Sequence, residues 1–194
     1  MESRPDEQLV ALTQQGDTGA FNRLAGRVES SVYRFVLRTL GDREDARDVC
    51  QDALLKAYQN IGRLRDGSKF RAWVHHIALN LCRDRFRSPS RQREVRPADL
   101  SDASSGELEG SALDQADPSE QHLRTQRFPL VRAIEEALGL LPSEQRVAIL
   151  LREYHGFTSE EIGEITGVPA ATVRTRIFYG LRALRQSLRV QDIE

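Results

Sequence analysis

Between Ser88 and about Gln121 the chain turns to Ser, Asp, Glu, Pro and Gly and offers few apolar anchors. A segment of that make-up cannot bury enough surface to offset the entropy of ordering it. It therefore splits the 194 residues into two blocks, each of which must build its own core. On both sides apolar residues recur at three- and four-residue spacing, and no alternating segment of useful length occurs. Phe21, Leu24, Val28, Val32, Phe35 and Val36 predict one helix, ended near Gly41. A second runs from about Arg43 to Ile61 with Val49, Ala53, Leu54, Ala57 and Tyr58 inward, and a loop follows from Gly62 to Gly67. A third carries Phe70, Trp73, Val74, Ile77, Ala78, Leu81 and Phe86 and stops by Pro89. Beyond the interruption the pattern resumes with Leu130, Val131, Ile134, Ala137, Leu138 and Leu141, then Val147, Leu150 and Leu151 up to a break at His155-Gly156. The expected fold is all-α: two small helical domains, residues 1–91 and 128–194, joined by a flexible acidic linker over 92–127.

The net charge of −1 averages over opposed blocks. Gly62 to Arg96 holds ten Lys/Arg against three acids, a balance of +7. Pro97 to Glu120 holds seven acids and no base, and Val168 to Arg189 holds five arginines and no acid. Two basic blocks bracketing an acidic one suggest two contacts with a polyanion, joined by a segment that avoids it.

The second basic block has an internal order. Thr158 or Ser159 is placed to cap a helix, with Glu160, Glu161 and Glu164 near its positive end. Gly167 supplies the left-handed backbone of a tight turn, and Pro169 precedes the next helix, where its missing N–H costs little. That next helix puts Val173, Ile177, Leu181, Leu184 and Leu188 on one side and Arg174, Arg182, Arg185 and Arg189 on the other, with Arg176 on a flank. Helix, glycine turn and arginine-faced helix is the layout of a helix-turn-helix reader, whose arginine forks match guanine O6 and N7.

In the first block, Asp45, Asp48 and Asp52 form one stripe with Gln51 and Lys56 beside it. Carboxylates so spaced repel one another mildly unless a basic partner docks. A metal cluster is not expected, because the face lacks histidine and no Glu-x-x-His partner occurs. Cys50 and Cys82 have no ligand spacing and read as inert buried thiols; Trp73 reads as core, and His75 and His76 as core or solvated groups.

These segments resemble a known family. Asp48-Val-Cys-Gln51-Asp-Ala-Leu-Leu-Lys-Ala-Tyr58, Phe70-Arg-Ala-Trp73-Val-His-His-Ile77-Ala-Leu-Asn80 and Asp84-Arg85-Phe86-Arg87 are similar to region 2 of extracytoplasmic-function sigma factors. Leu141-Pro142 through Arg152, Gly156-Phe-Thr-Ser-Glu-Glu-Ile162 and Thr172-Val-Arg-Thr-Arg-Ile-Phe resemble their region 4, in the sigma-E-like branch. The resemblance spans both domains in order, about four-fifths of the chain. It departs at Leu54, where the family commonly has Phe, and at Gly163, where it commonly has Ala.

The resemblance implies a role for each matching stretch. Asp45, Asp48, Gln51, Asp52 and Lys56 would dock on the clamp helices of the polymerase β′ subunit. The loop with Arg65, Ser68, Lys69 and Phe70 would receive a base flipped from the −10 element, with Asn80 nearby and Arg83, Arg85 and Arg87 on phosphates. Thr172, Arg174, Thr175, Arg176, Phe178, Tyr179 and Arg182 would meet the −35 element, while that domain sits on the β flap. The linker would thread the polymerase cleft. The implied partners are RNA polymerase core, promoter DNA and an anti-sigma factor. No cofactor, metal or catalytic residue is expected.

The rival reading is an ordinary helix-turn-helix regulator that binds an operator without polymerase. A helical metalloenzyme is weakened by the missing ligand set. The charged N-terminus and the short aliphatic run Val147 to Leu151 predict a cytoplasmic protein without membrane insertion.

Overall fold

The computed structural model describes residues 4–87 and 131–191, and all described regular elements are helical. The first domain holds α1 (Asp6–Gln14), α2 (Thr18–Leu40), α3 (Arg43–Asn60) and α4 (Phe70–Arg87), with short 3-10 turns at Ile61–Arg63 and Gly67–Lys69. The second holds α5 (residues 131–139), α6 (Ser143–Ile149) continued by a π turn (Leu150–Tyr154), α7 (Ser159–Thr166) and α8 (Ala170–Gln191). The linker assignments, over residues 88–127, lie outside the described residues.

Local chemistry sets most of the boundaries. Asp17 and Asp42 cap α2 and α3 by accepting from the backbone N–H of Ala20 (3.0 Å) and Asp45 (2.8 Å). Gly41 ends α2 in the left-handed region, with φ 76°. At α7 the cap is Thr158, not Ser159. Its hydroxyl accepts from Glu161 N–H at 3.2 Å, and the Glu161 carboxylate accepts from Thr158 N–H at 2.7 Å.

Gly167 turns α7 into α8 with φ 77°, and open space surrounds the position of a Cβ there. Backbone strain alone therefore decides a substitution. Gly167→Ala will lower the stability of the second domain by about 1–2 kcal/mol, read as an earlier unfolding midpoint in urea. Gly163 is constrained differently: a Cβ would sit 2.8 Å from the Val168 carbonyl oxygen, so the turn passes directly over it.

The core of the first domain gathers Leu24, Val32, Phe35, Val36, Ala53, Phe70 and Leu79. That of the second gathers Leu150, Leu151, Ile162, Ile165 and Val173. Four residues expected inward are exposed: Tyr58, Phe86, Val131 and Leu181. Periodicity gives the direction of a stripe, whereas the width of the packing partner decides how much of it is covered. Tyr58 illustrates this, since its ring lies on Phe21 at 4.9 Å between centroids while its outer edge stays open. Trp73 is half-buried beside Phe70, in agreement with a core role. Cys50 is buried, and desolvation, helped by the nearby Glu29 charge, pushes its thiol up to about 11, which keeps it unreactive.

Helix α1 precedes the first helix that the apolar spacing marks out. It is nine residues long, and helices of that length gain their stability from packing rather than propensity. Leu9 and Val10 supply that packing.

Candidate functional site

The acidic stripe lies on the outer face of α3. Asp48, Gln51, Asp52 and Lys56 are exposed and surround Leu55, which is itself 52% exposed. An apolar centre with a charged rim is the make-up of a protein docking patch. The expected repulsion is partly relieved from within. Arg85 of α4 reaches across to Asp45 at 3.0 Å and Asp48 at 3.4 Å, so Asp45 is largely covered. Arg85, expected on phosphate, is therefore engaged with carboxylates here. Arg87 is exposed at the C-terminal end of α4, where the helix dipole favours a cation.

The loop between α3 and α4 is shaped by groups near and far in sequence. Asp66 accepts from the Ser68 N–H (3.0 Å) and hydroxyl (2.6 Å), and these bonds hold its carboxyl below the usual range. Gln14 of α1 donates to the carbonyls of Ile61 and Leu64, both at 2.9 Å. Gly67 lies so close to α1 that a Cβ would come 2.7 Å from the Glu7 Cα. Helix α1 thus clamps the loop. Arg65, Ser68 and Lys69 are exposed on it. Phe70 is not: it is fully buried, 6.4 Å from both Phe21 and Trp73 by ring centroids. This corrects its expected place on a flipped base. Phe70 anchors the loop from beneath.

The second domain closes over this loop. Lys69 pairs with Glu164 of α7 at 2.5 Å. Arg83 donates to the Asn80 side-chain oxygen (3.3 Å) and to the Thr166 carbonyl (3.3 Å). That orientation leaves the Asn80 amide to donate to His76 Nε2 at 3.0 Å, while His76 Nδ1 donates to the Ile165 carbonyl at 2.8 Å. The last carbonyls of α7, otherwise unpaired at a helix end, are thus met by α4. Deeper in the seam His75, fully buried, and His155, nearly so, share the hydroxyl of Ser31 from α2. Arg71 donates to the His155 carbonyl and lies over the Phe157 ring, 4.6 Å from its centroid. Arg38 lies over Tyr154 at 4.4 Å.

On α8, Arg174, Thr175, Phe178, Tyr179, Arg182 and Arg185 are exposed, and Thr172 and Arg176 are partly so. Phe178 and Tyr179 meet edge to face at 5.4 Å. Thr175 returns its hydroxyl to the Ala171 carbonyl at 3.0 Å. Gly180 brings α8 against α6, since a Cβ there would meet the Ile149 Cδ1 at 2.6 Å. The helix itself carries no acid within the basic block, yet its neighbours supply two. Glu160 pairs with Arg174 at 3.3 Å and Glu144 with Arg176 at 2.6 Å.

Most expected site residues are thus assembled on three surfaces. Sequence reasoning missed Gln14, Ser31, Arg71, His76, His155, Glu144 and Glu160, because each acts on a partner distant in the chain. The only legible hint was the adjacent pair His75-His76 beside a basic block. No group of three or more metal-ligating side chains occurs among the described residues. No described helix is long and apolar enough to cross a membrane.

Known proteins share this organisation. The family model of sigma-70 region 2 matches residues 24–92, and that of sigma-70 region 4 matches residues 131–184. The chain is 30% identical to the RNA polymerase sigma-H factor of Pseudomonas aeruginosa, over 94% of this chain and 93% of that protein. It is 34% identical to the sigma-E factor of Escherichia coli K12, over 94% of each. The sigma factor RpoE from Bartonella quintana, solved with the anti-sigma factor NepR, superposes with a TM-score of 0.63 at 26% identity, over 88% of this chain and 97% of that one. With both regions matched in order and full-length relatives on either side of a third identical, the chain belongs to the sigma-70 family as an extracytoplasmic-function sigma factor, which directs RNA polymerase to promoters.

Proposed function

We propose that the three surfaces divide the work of a sigma factor: α3 docks on core polymerase, the clamped loop with α4 receives the −10 element, and α8 reads the −35 element. The domains would span residues 1–91 and 128–194, with the linker between them in the polymerase cleft. The observation that carries this reading is α8. It presents Arg174, Arg182, Arg185, Thr175 and an exposed aromatic pair to solvent from a helix fixed by a capped, glycine-turned entry. Arginine forks suit guanine, and the aromatic rings suit thymine methyl groups.

On the −10 side, Arg65, Ser68 and Lys69 would line the base pocket, with Asn80 at its edge and Arg83 and Arg87 on phosphate. Arg85 would first leave Asp45 and Asp48. On α3, Leu55 would fill the centre of the contact with the β′ clamp helices, ringed by Asp48, Gln51, Asp52 and Lys56. The second domain would seat on the β flap. An anti-sigma factor is the further partner we expect, and the cytoplasm is where these partners meet. The chain would perform no catalysis, which the polymerase supplies.

The test adds purified chain to core polymerase with a promoter library and maps the starts. Starts that require this chain support the reading; operator binding without polymerase would favour an ordinary regulator. Asp52→Lys will weaken core binding while helicity holds, because exposed changes cost under about 0.5 kcal/mol of stability. Asp48→Lys adds a second effect, since the new cation faces Arg85. Core affinity unchanged in both variants would remove α3 from the interface.

A further inference from the structure

The interdomain seam holds a buried group of histidines that promoter recognition leaves unused. The His75 Nδ1 lies 2.8 Å from the Arg71 carbonyl, an acceptor only, so this nitrogen carries the proton. Its Nε2, 3.3 Å from Ser31 Oγ, then accepts from the hydroxyl. Ser31 has one proton to give, so at 3.0 Å it accepts from the His155 Nδ1–H. The His155 Nε2 is left with a lone pair, buried, and no hydrogen-bond partner meets it among the described residues. Every donor of the network is paired while both rings are neutral. A proton added to His155 Nε2 finds no acceptor, and one added to His75 Nε2 takes the Ser31 oxygen and turns the hydroxyl hydrogen away from its only acceptor in the network.

We propose that the Ser31–His75–His155 seam is an acid-released latch: protonation of its histidines parts the two domains and uncovers the residues that meet the −10 element. The charges that would face a proton on His155 belong to the other domain: Arg34 and Arg38 on α2, and Arg71 and His75 on α4. The carboxylates of α7 are committed elsewhere, Glu160 to Arg174, Glu161 to the Thr158 cap and Glu164 to Lys69. Opening therefore removes the desolvation and the repulsion together.

Burial, opposed by the bond to the Arg71 carbonyl, pulls His75 down to about 4. Burial, with repulsion from His75 and the arginines, pulls His155 down to about 3. Above the ordinary value of 6.5 both rings are neutral whether the seam is open or closed, and the closed form keeps its full advantage. As pH falls below 6.5 the open form takes up protons that the closed form refuses, so closure weakens from there down to the lowered values. Between pH 7.5 and 5.5 the open fraction relative to closed will rise about tenfold for each participating histidine.

The consequence for DNA rests on the reading that Lys69, Asn80 and Arg83 contact the promoter, since the same closure ties Lys69 and Arg83 to α7 directly and holds Asn80 through His76, which bonds to α7. The test uses the full chain with fluorophores on Gln59→Cys in α3 and Gln186→Cys in α8, two exposed positions in different domains. Energy transfer will fall as the buffer is acidified while far-UV circular dichroism holds. In His155→Phe, which keeps an aromatic ring against Phe35 and His75 but takes no proton, the midpoint will move to lower pH. Should that variant misfold, Ser31→Ala serves, because losing the shared hydroxyl will open the seam at higher pH. A transfer signal that does not change with pH, or that changes identically in parent and both variants, overturns the latch. Single-stranded −10 DNA affinity is measured alongside at constant ionic strength. If the domains part and affinity does not rise, the latch stands and the assignment of Lys69, Asn80 and Arg83 to DNA falls.

Discussion

Replacing Phe70 with alanine will remove about 3–5 kcal/mol from the first domain, a large share of the roughly 5–15 kcal/mol that holds a domain folded. Phe70 is fully buried, with Phe21 against its edge and Trp73 beside it, and it begins α4 directly below the loop. The cavity left by truncation would sit where α1, the loop and α4 converge, so the loop loses its floor as well as its anchor. Urea unfolding followed at the single tryptophan, Trp73, reads this domain directly. Phe70→Leu keeps most of the apolar volume and will lie between parent and alanine. A Phe70→Ala chain with an unchanged unfolding midpoint and a selective loss of −10 recognition would return Phe70 to the base-contacting role that its motif position suggested.

The second large effect concerns α8. Arg174→Ala will lower use of the preferred −35 sequence by about 1–3 kcal/mol, equivalent to roughly five- to 150-fold, if its fork meets a base edge. Its fold cost is small, because the bond to Glu160 joins two exposed groups and such pairs contribute about 0–1 kcal/mol. Arg176 differs. Only 20% of its side chain is exposed, and Glu144 holds it at 2.6 Å. Truncating it also leaves the Glu144 carboxylate without this partner.

The two roles separate on DNA. A base reader relaxes preference at one position, whereas a phosphate reader weakens all sequences alike and lowers the salt slope by about 1. The pairing adds a sign that arginine deletions alone do not test. Glu144→Gln and Glu160→Gln will each raise DNA affinity at low salt, because a carboxylate that competes with phosphate is gone. Equal affinity in both, measured at several salt concentrations, would mean that α8 does not enter the groove.

How much of this was legible varies with the range of the interaction. The Thr158 cap with Glu161, the Gly41 and Gly167 turns, and the alternation of Val173 and Leu184 with arginines depend on residues within a few positions of one another. Their chemistry is complete in the local sequence; the turns and the face of α8 folded as read, and the structure chose Thr158 over Ser159 as the cap and added its bond to Glu161. Interruption of the apolar pattern likewise gave two domains, and the order of motifs gave the family. Leu181 and Phe86 mark where this reasoning ends, since a helical stripe indicates a side but not the extent of the surface that covers it.

The sequence by itself therefore determined the helical class, the caps and turns, the basic face of α8 and the acidic face of α3. Each follows from spacing along one element. Only the tertiary structure decided that Arg85 would neutralise Asp45 and Asp48, that α1 would clamp the loop through Gln14, and that Phe70 would lie beneath it. It alone brought Ser31, His75 and His155 together, although 124 positions separate the serine from the farther histidine. The reason is physical: a hydrogen bond or ion pair forms between groups about 3 Å apart in space, and separation along the chain carries no record of which groups those are.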